Sequence, residues 1–437
     1  MALGGGKWLT QNKILPGAYI NFVSKARADG RLSDRGIATI PVKLNWGQDK
    51  EIFKVESGDF FTDTRNIFGY SYTDDEMADL REIFKHAKTV YFYRLNSGEK
   101  AENTLATAKH SGTRGNDLKI IVSKDVDDEG LFIVETVLGT RQVDVQVVKD
   151  FKDLQDNQFV DWKKEGTLTE TASLPLENGT NQTEVTGEDY QEYLDKIEGF
   201  GFNVMGCPTD DDKVIDLFVQ YTKRMRDEVG ALFQTVIYDK DKKYDHEGII
   251  ALKNKCITEG KPEYSGVYWL TGAEAGCDVN KSLTNSTYDG EYNFEVDFKQ
   301  SELEEFLTAG KLVFHRQNDE IRILQDINSF VTFTPEKNID FSNNQVIRVL
   351  DEKGNGLALL FNNKYNGNVP NDESGRESLW ADIVDINLQL QQIRAIQNYD
   401  ESLLRVEKGK EKGSVLVEDY IEPVSVMDKL YTVIYVI

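Results

Sequence analysis

At 437 residues the chain is longer than one hydrophobic core serves, and about two to four domains are expected. It carries 51 basic against 75 acidic residues, a formal net charge of −24, which opposes binding to nucleic-acid phosphate or to an anionic membrane surface. Three cysteines without a CxxC (Cys207, Cys256, Cys277) and four scattered histidines (His86, His110, His246, His315) argue against a disulfide framework or a zinc site, and no apolar run reaches the roughly 18 residues of a membrane span.

The first 35 residues are locally basic. Lys7, Lys13, Lys25, Arg27, Arg31 and Arg35 stand against Asp29 and Asp34, a net charge of +4 that leaves −28 for the rest. They lack the apolar stretch of a secretory leader, so folding in a reducing cytoplasm is expected. Ile14–Val23 reads as a sticky strand behind Gly4-Gly5-Gly6. Ile37–Leu44 reads as a strand whose Pro41 places it at an edge or a bulge. Thr73 and Glu76 have the spacing of a capping box, opening a helix with Met77, Leu80, Ile83, Phe84 and Ala87 on one face. Thr89–Leu95 follows as a buried strand, which predicts an α/β layer.

From residue 96 the period changes to two. Leu118–Ser123, Leu131–Leu138 and Arg141–Val148 predict short strands joined at Asp125–Gly130 and Leu138–Thr140. Leu174–Val185 is polar and turn-rich, a domain boundary or exposed loop. Asp211–Val229 then predicts a helix and Leu232–Tyr238 a strand; Ser301–Leu307 is a short helix, and Lys311–His315 pairs with Glu320–Leu324 as a hairpin. Asn344–Phe361 reads as a helix interrupted by Gly354 and Gly356. Gly375–Tyr399 is the strongest helix, with Leu379, Ile383, Ile386, Leu390 and Ile393 on one seam that is expected to pack within the subunit. Ser414–Ile421 and Lys429–Ile437 read as two strands, the second β-branched and aromatic throughout its last seven residues. Unpaired strand backbone seeks partners, so both ends are expected to be sealed within the subunit or lent to a neighbour.

Candidate chemistry is thin. Gly199, Gly201 and Gly206 lack the spacing of a dinucleotide fingerprint and are read as a loop. The acidic runs Asp125–Glu129, Asp210–Asp212 and Asp239–Asp241 lack a calcium ligand ladder and are read as solvated turns. His246-Glu247 is read as a surface pair. Gly112–Asp117, with Arg114, has the composition of an anion-binding loop, but a strand-entry turn with φ > 0 at Gly and Asn is favoured. No catalytic, cofactor-binding or metal-binding residue is assigned.

Several segments, in order along the chain, resemble the tail sheath proteins of contractile bacteriophage tails, in particular the type found in prophages and R-type bacteriocins of Gram-positive bacteria. They include Pro16–Phe22, Asp34–Thr39, Tyr93–Lys100, Gly112–Asp117, Thr271–Gly276, Asn280–Asn285, Tyr288–Glu291, Asp326–Asn328, Asn344–Arg348 and Asn371–Arg376. The resemblance implies a non-enzymatic virion or bacteriocin component. Subunits would form a homopolymer of stacked hexameric rings around an inner tail tube protein, meet baseplate and terminator proteins, and contract to drive the tube through a bacterial envelope. It implies a multidomain α+β and α/β fold: an arm over 1–35, an inner α/β domain built from 36–95 and 336–437, an inserted small β-rich domain over 96–176 and an inserted α/β domain over 177–335.

It further implies intersubunit β-augmentation by the terminal strands. The residues assigned to it are Ile14, Tyr19, Ile20, Phe22, Val415, Val417, Tyr431, Val433, Tyr435 and Ile437, with Lys13, Lys25, Arg27 and Arg31 as electrostatic contacts of the arm. The alternatives are a static virion or baseplate assembly protein, and a hydrolase or nucleotide-binding enzyme on the middle α/β domain.

Overall fold

A computed structural model describes residues 35–128 and 130–436. The chain opens with β1 (Ile37–Val42) and β2 (Ile52–Glu56), then α1 (Ser57–Phe68), α2 (Ala78–Phe84) and β3 (Thr89–Arg94). A small domain follows, with β4 (Ala106–Ala108), β5 (Leu118–Lys124), β6 (Phe132–Leu138), β7 (Arg141–Val148), β8 (Val160–Trp162) and β9 (Thr171–Pro175). The chain then alternates through α3 (Gly187–Ile197), β10 (Val204–Cys207), α4 (Asp212–Arg224), β11 (Gln234–Tyr238), β12 (Ile249–Leu252), α5 (Gly266–Gly276), α6 (Gln300–Thr308) and β13 (Lys311–Leu312). A hairpin of β14 (Phe314–Gln317) and β15 (Glu320–Ile323) leads to α7 (Asn344–Leu360) and α8 (Glu373–Gln392). The last strands are β16 (Ile396–Gln397), β17 (Arg405–Lys408), β18 (Val415–Glu418) and β19 (Glu422–Pro423).

The main sheet has seven strands in the order β13-β12-β11-β10-β1-β3-β2, all parallel except β2. Helices cover both faces, so the central strands are buried along their whole length. α2 and α5 close one core around Ile40, Phe92, Val236, Leu270 and Phe314; α3 and α4 close the other around Tyr193, Met205, Phe218 and Ile237. α5 lies against α2 because two of its residues lack a side chain: a Cβ at Gly272 would meet the Ile83 carbonyl, and one at Gly276 that of His86.

This topology changes the expected division of the chain. Residues 36–95 were expected to share an inner domain with 336–437, but β1 pairs with β10, and β3 and β2 extend the same sheet. They therefore belong with the middle α/β unit. Parallel partners come from distant segments, and local pattern does not name them. Pro41 is not at the sheet edge either. β10 pairs only with Ala38 and Thr39, so Pro41 lies beyond the end of that ladder.

The small domain holds the antiparallel sheet β7-β6-β5-β9 and the ribbon β4–β8 around Ile120, Val134, Phe151, Phe159 and Leu176. Its three predicted strands form, and Thr171–Pro175 adds a fourth at the start of the expected boundary. The face expected for α2 is buried as read, but its start is not a capping box. A 3-10 turn at Asp75–Met77 leads in, and Asp74 accepts the Ser71 N–H instead. The hairpin begins at Phe314, because Lys311 and Leu312 pair with β12. α7 runs through Gly354 and Gly356 unbroken, and Gly354 packs on Leu232. The α8 seam packs into the subunit's own C-terminal core with Val349, Leu360 and Tyr365.

Glu82 of α2 is fully buried and accepts the Tyr288 hydroxyl (2.6 Å) and the Glu291 N–H (2.5 Å). Burial pushes its carboxyl from an ordinary 4.5 up to about 7, against those two hydrogen bonds. The unfolded chain loses this proton first, so stability falls as pH rises from 4.5 to 7, by about 3 kcal/mol at most. In Glu82→Gln the titration is gone; the amide oxygen can keep the Glu291 N–H bond, while Nε2 donates to the Tyr288 hydroxyl in place of the bond it gave. Urea denaturation at pH 5 and pH 7.5 should show a smaller pH dependence in the variant, by up to that amount; equal dependence in both proteins would refute the assignment.

Candidate assembly interface

After β19 the chain is held to the body at three points. Val424 N–H donates to the Ala395 carbonyl (2.9 Å), Val426 N–H to Gln345 Oε1 (3.0 Å), and Gln325 Nε2 to Asp428 Oδ2 (3.0 Å). Beyond Asp428 the hydrogen bonds to other described residues stop. Residues 429–436 form no strand and no hydrogen bond among the described residues. Leu430, Tyr431, Val433, Ile434, Tyr435 and Val436 are between 74% and 95% exposed. Large apolar side chains in an unbroken exposed row are a marker of an interaction segment. Of the residues assigned to strand exchange, Tyr431, Val433 and Tyr435 lie on this segment. Ile14, Tyr19, Ile20, Phe22 and Ile437 lie outside the described residues, as do Lys13, Lys25, Arg27 and Arg31 of the arm.

Val415 and Val417 are placed differently. They sit in β18, which forms a two-stranded antiparallel hairpin with β17, Val417 opposite Val406 and Val415 opposite Lys408. Both valines turn into the subunit's own C-terminal core, while Leu416 faces outward at 53% exposure. A two-stranded hairpin leaves one backbone edge of each strand without a ladder partner among the described residues. A groove of about 380 Å³ opens at the start of β18, floored by Phe361, Tyr365, Val369, Leu379 and Val415. Asn371 Nδ2 holds its rim by donating to the Lys412 (3.0 Å) and Ser414 (2.8 Å) carbonyls. Sequence reasoning missed β17 and this groove; an alternating Arg405–Lys408 is too short to stand out.

The tail and the hairpin are mounted on α7, whose first half is buried although it is polar. Arg348 pairs with Glu274 of α5 (2.8 Å) and with Asp326 (2.6 Å). Asn344 Nδ2 donates to Asp326 Oδ1 (2.8 Å) and Glu274 Oε1 (3.3 Å), and Asn344 Oδ1 accepts Gln234 Nε2 (2.9 Å). Arg226 forks onto Asp351 (2.7 and 2.8 Å). Burial, with Asp326 alongside, pushes Glu274 up to about 8; burial opposes ionisation of Asp326 too, but Arg348 holds it below the usual range. The C-terminal unit is thereby fastened to the sheet by buried charge.

The chemistry-bearing pairs resolve as structure. His246 and Glu247 are buried, not on the surface as expected, because Ser329, Gln234 and Lys337 cover their segment. Asp227, His246 and Glu247 come within metal-binding reach of one another. The ring chemistry does not fit a metal there: His246 Nδ1 accepts the Gly248 N–H (3.0 Å), so the neutral ring carries its proton on Nε2, toward Asp227 (3.2 Å). Glu247 is paired with Lys337. The Gly112 loop is a turn. Gly112 has φ +119°, while Arg114 is engaged by the Gly69 carbonyl (3.0 Å), Asp117 (2.9 Å) and the Tyr70 ring (4.4 Å).

Four family models match successive stretches of the chain: tail sheath protein Gp18 domain III N-terminal region over 35–95, phage tail sheath protein beta-sandwich domain over 96–181, phage tail sheath protein central domain over 183–329, and phage tail sheath C-terminal domain over 336–437. The chain is 30% identical over 466 residues to the phage-like element PBSX protein XkdK of Bacillus subtilis (strain 168), with 98% of this chain and 99% of that protein covered. Among solved structures it is similar to the sheath tail protein of Desulfitobacterium hafniense, 34% identical with a TM-score of 0.80 over 93% of this chain and 96% of that one. It shares its fold with the helical sheath of the anti-feeding prophage in the contracted state, 12% identical with a TM-score of 0.57 over 97% of this chain and 99% of that one.

Proposed function

The chain belongs to the phage tail sheath family and is a contractile tail sheath subunit, and on that premise we propose that copies are joined into a helical homopolymer by exchange of their terminal strands. The observation that carries this is the largely apolar segment 430–436, exposed and without a strand partner among the described residues. An incoming strand finds backbone groups at the free edge of β18 and apolar side-chain space in the groove beside it. The basic segment 1–35 supplies the other exchanged strand, drawn to the acidic body of a neighbour.

In this reading the polymer consists of stacked hexameric rings around an inner tube protein, ends on baseplate and terminator proteins, and shortens to drive the tube through a bacterial envelope. Residues 336–437 face the tube and 96–176 face outward. The strands tether subunits while polar contacts between rings rearrange. The role is mechanical and not catalytic, and synthesis takes place in the bacterial cytoplasm. No helix among the described residues is long and apolar enough to cross a membrane.

Two chains, each with one added cysteine, test the exchange. The native Cys207, Cys256 and Cys277 are buried and stay silent. Leu416→Cys and Tyr435→Cys chains, mixed, assembled and mildly oxidised, should give reducible dimers that contain one of each. Such a bond can form only between copies. Assembled tubes that yield no mixed dimer would refute the proposed acceptor.

A further inference from the structure

The two ends of the body meet at one place. Arg35, where the described chain begins, is 9% exposed. Its guanidinium donates to the carbonyls of Cys277 (3.0 Å) and Glu274 (3.1 Å), at the C-terminal end of α5. A cation there also suits the helix dipole. The side chain of that same Glu274 meets Arg348 and Asn344. At the other end, the last two bonds that hold the tail come from Gln345 and Gln325. Gln345 follows Asn344 and Gln325 precedes Asp326 in the chain, and these neighbours are the two partners that close the ring around Arg348.

We infer that the buried cluster of Glu274, Asp326, Asn344 and Arg348 is a common anchor for both terminal segments, so that a pull on one end is passed to the other within a turn or two of α5 and α7. This rests on the strand-exchange reading, which is what would put the ends under tension. The anchor answers a mechanical need. A tether fixed at two remote points would strain the sheet between them, whereas here the strain falls on a compact group joined by four side-chain bonds. Asp326 is costly to separate from Arg348, because each would be left as an unpaired buried charge.

The free full-length subunit tests the anchor without any assembly, so its outcome is independent of the mixed-disulfide result. In Asn344→Ala the link between Glu274, Asp326 and Gln234 is removed without removing a charge. Hydrogen exchange at the Val426 amide and trypsin cleavage after Arg35 should both speed up about fivefold, with the amides of β6 unchanged as an internal reference. Glu274→Gln should act in the same direction at both ends. Gln345→Ala should speed exchange at Val426 and leave cleavage after Arg35 as it was. The inference fails if Asn344→Ala loosens only one end or neither, or if β6 rises in step and the effect is global. Should Asn344→Ala not fold, the same criteria apply to Glu274→Gln.

Discussion

Deleting residues 429–437 is expected to abolish polymerisation and leave the subunit's melting temperature within about 1 °C of the parent. The removed side chains are largely exposed, and no hydrogen bond to another described residue is lost, because the last such bond is at Asp428. Their stabilising effect is all between copies. A strand adding about eight backbone bonds at roughly 0.5–1.5 kcal/mol each supplies about 4–12 kcal/mol before ordering costs. At about 1.4 kcal/mol per decade, its loss raises the concentration needed for assembly by a thousandfold or more. Sedimentation and negative-stain microscopy at matched concentrations read the loss, and thermal unfolding reads the intact fold. Tubes of parental length from the truncated chain would refute strand exchange by the tail.

Arg348→Met should have the largest effect on the fold. The substitution keeps the volume but leaves Glu274 and Asp326 buried together without their cation. Removing one partner of a buried pair costs about 3–5 kcal/mol. Arg348→Lys should restore this only in part, since a single Nζ replaces the two separated nitrogens that meet Glu274, Asp326 and the Lys281 carbonyl. The triple change Glu274→Gln, Asp326→Asn, Arg348→Met should recover part of the loss, as no unpaired charge remains. Chemical denaturation of the three proteins separates these outcomes. A single Arg348→Met variant as stable as the parent would show that the network does not fasten α7 to the sheet.

Much of the local structure could be read from residue order. Alternation at Leu118–Ser123, Leu131–Leu138 and Arg141–Val148 marked a β-rich domain, and strands form there within a residue of those bounds. The spacing of Leu379, Ile383, Ile386, Leu390 and Ile393 marked a helix face; the first four are buried on it, while the helix ends at Gln392 and leaves Ile393 as its half-buried cap. The ordered motifs pointed to the family, which the relatives bear out. Some of those motifs have a plain physical use: Thr271–Gly276 carries the two glycines that let α5 touch α2, and Asn344–Arg348 carries two members of the buried cluster.

What periodicity reports is which side of an element is apolar, and that is a property of neighbours in sequence. Thus the amino-acid order alone marked most of the helices and the strands of the small domain, the acidic composition with its basic first 35 residues, and a terminal segment rich in β-branched and aromatic side chains. Only the tertiary structure decided that β1 lies beside β10, that His246 and Glu247 are interior, that α7 passes through two glycines, and that Arg35 and the tail root converge on one cluster. Each depends on a partner far along the chain, because a parallel ladder or a buried charge is stable only once its complement has been folded against it.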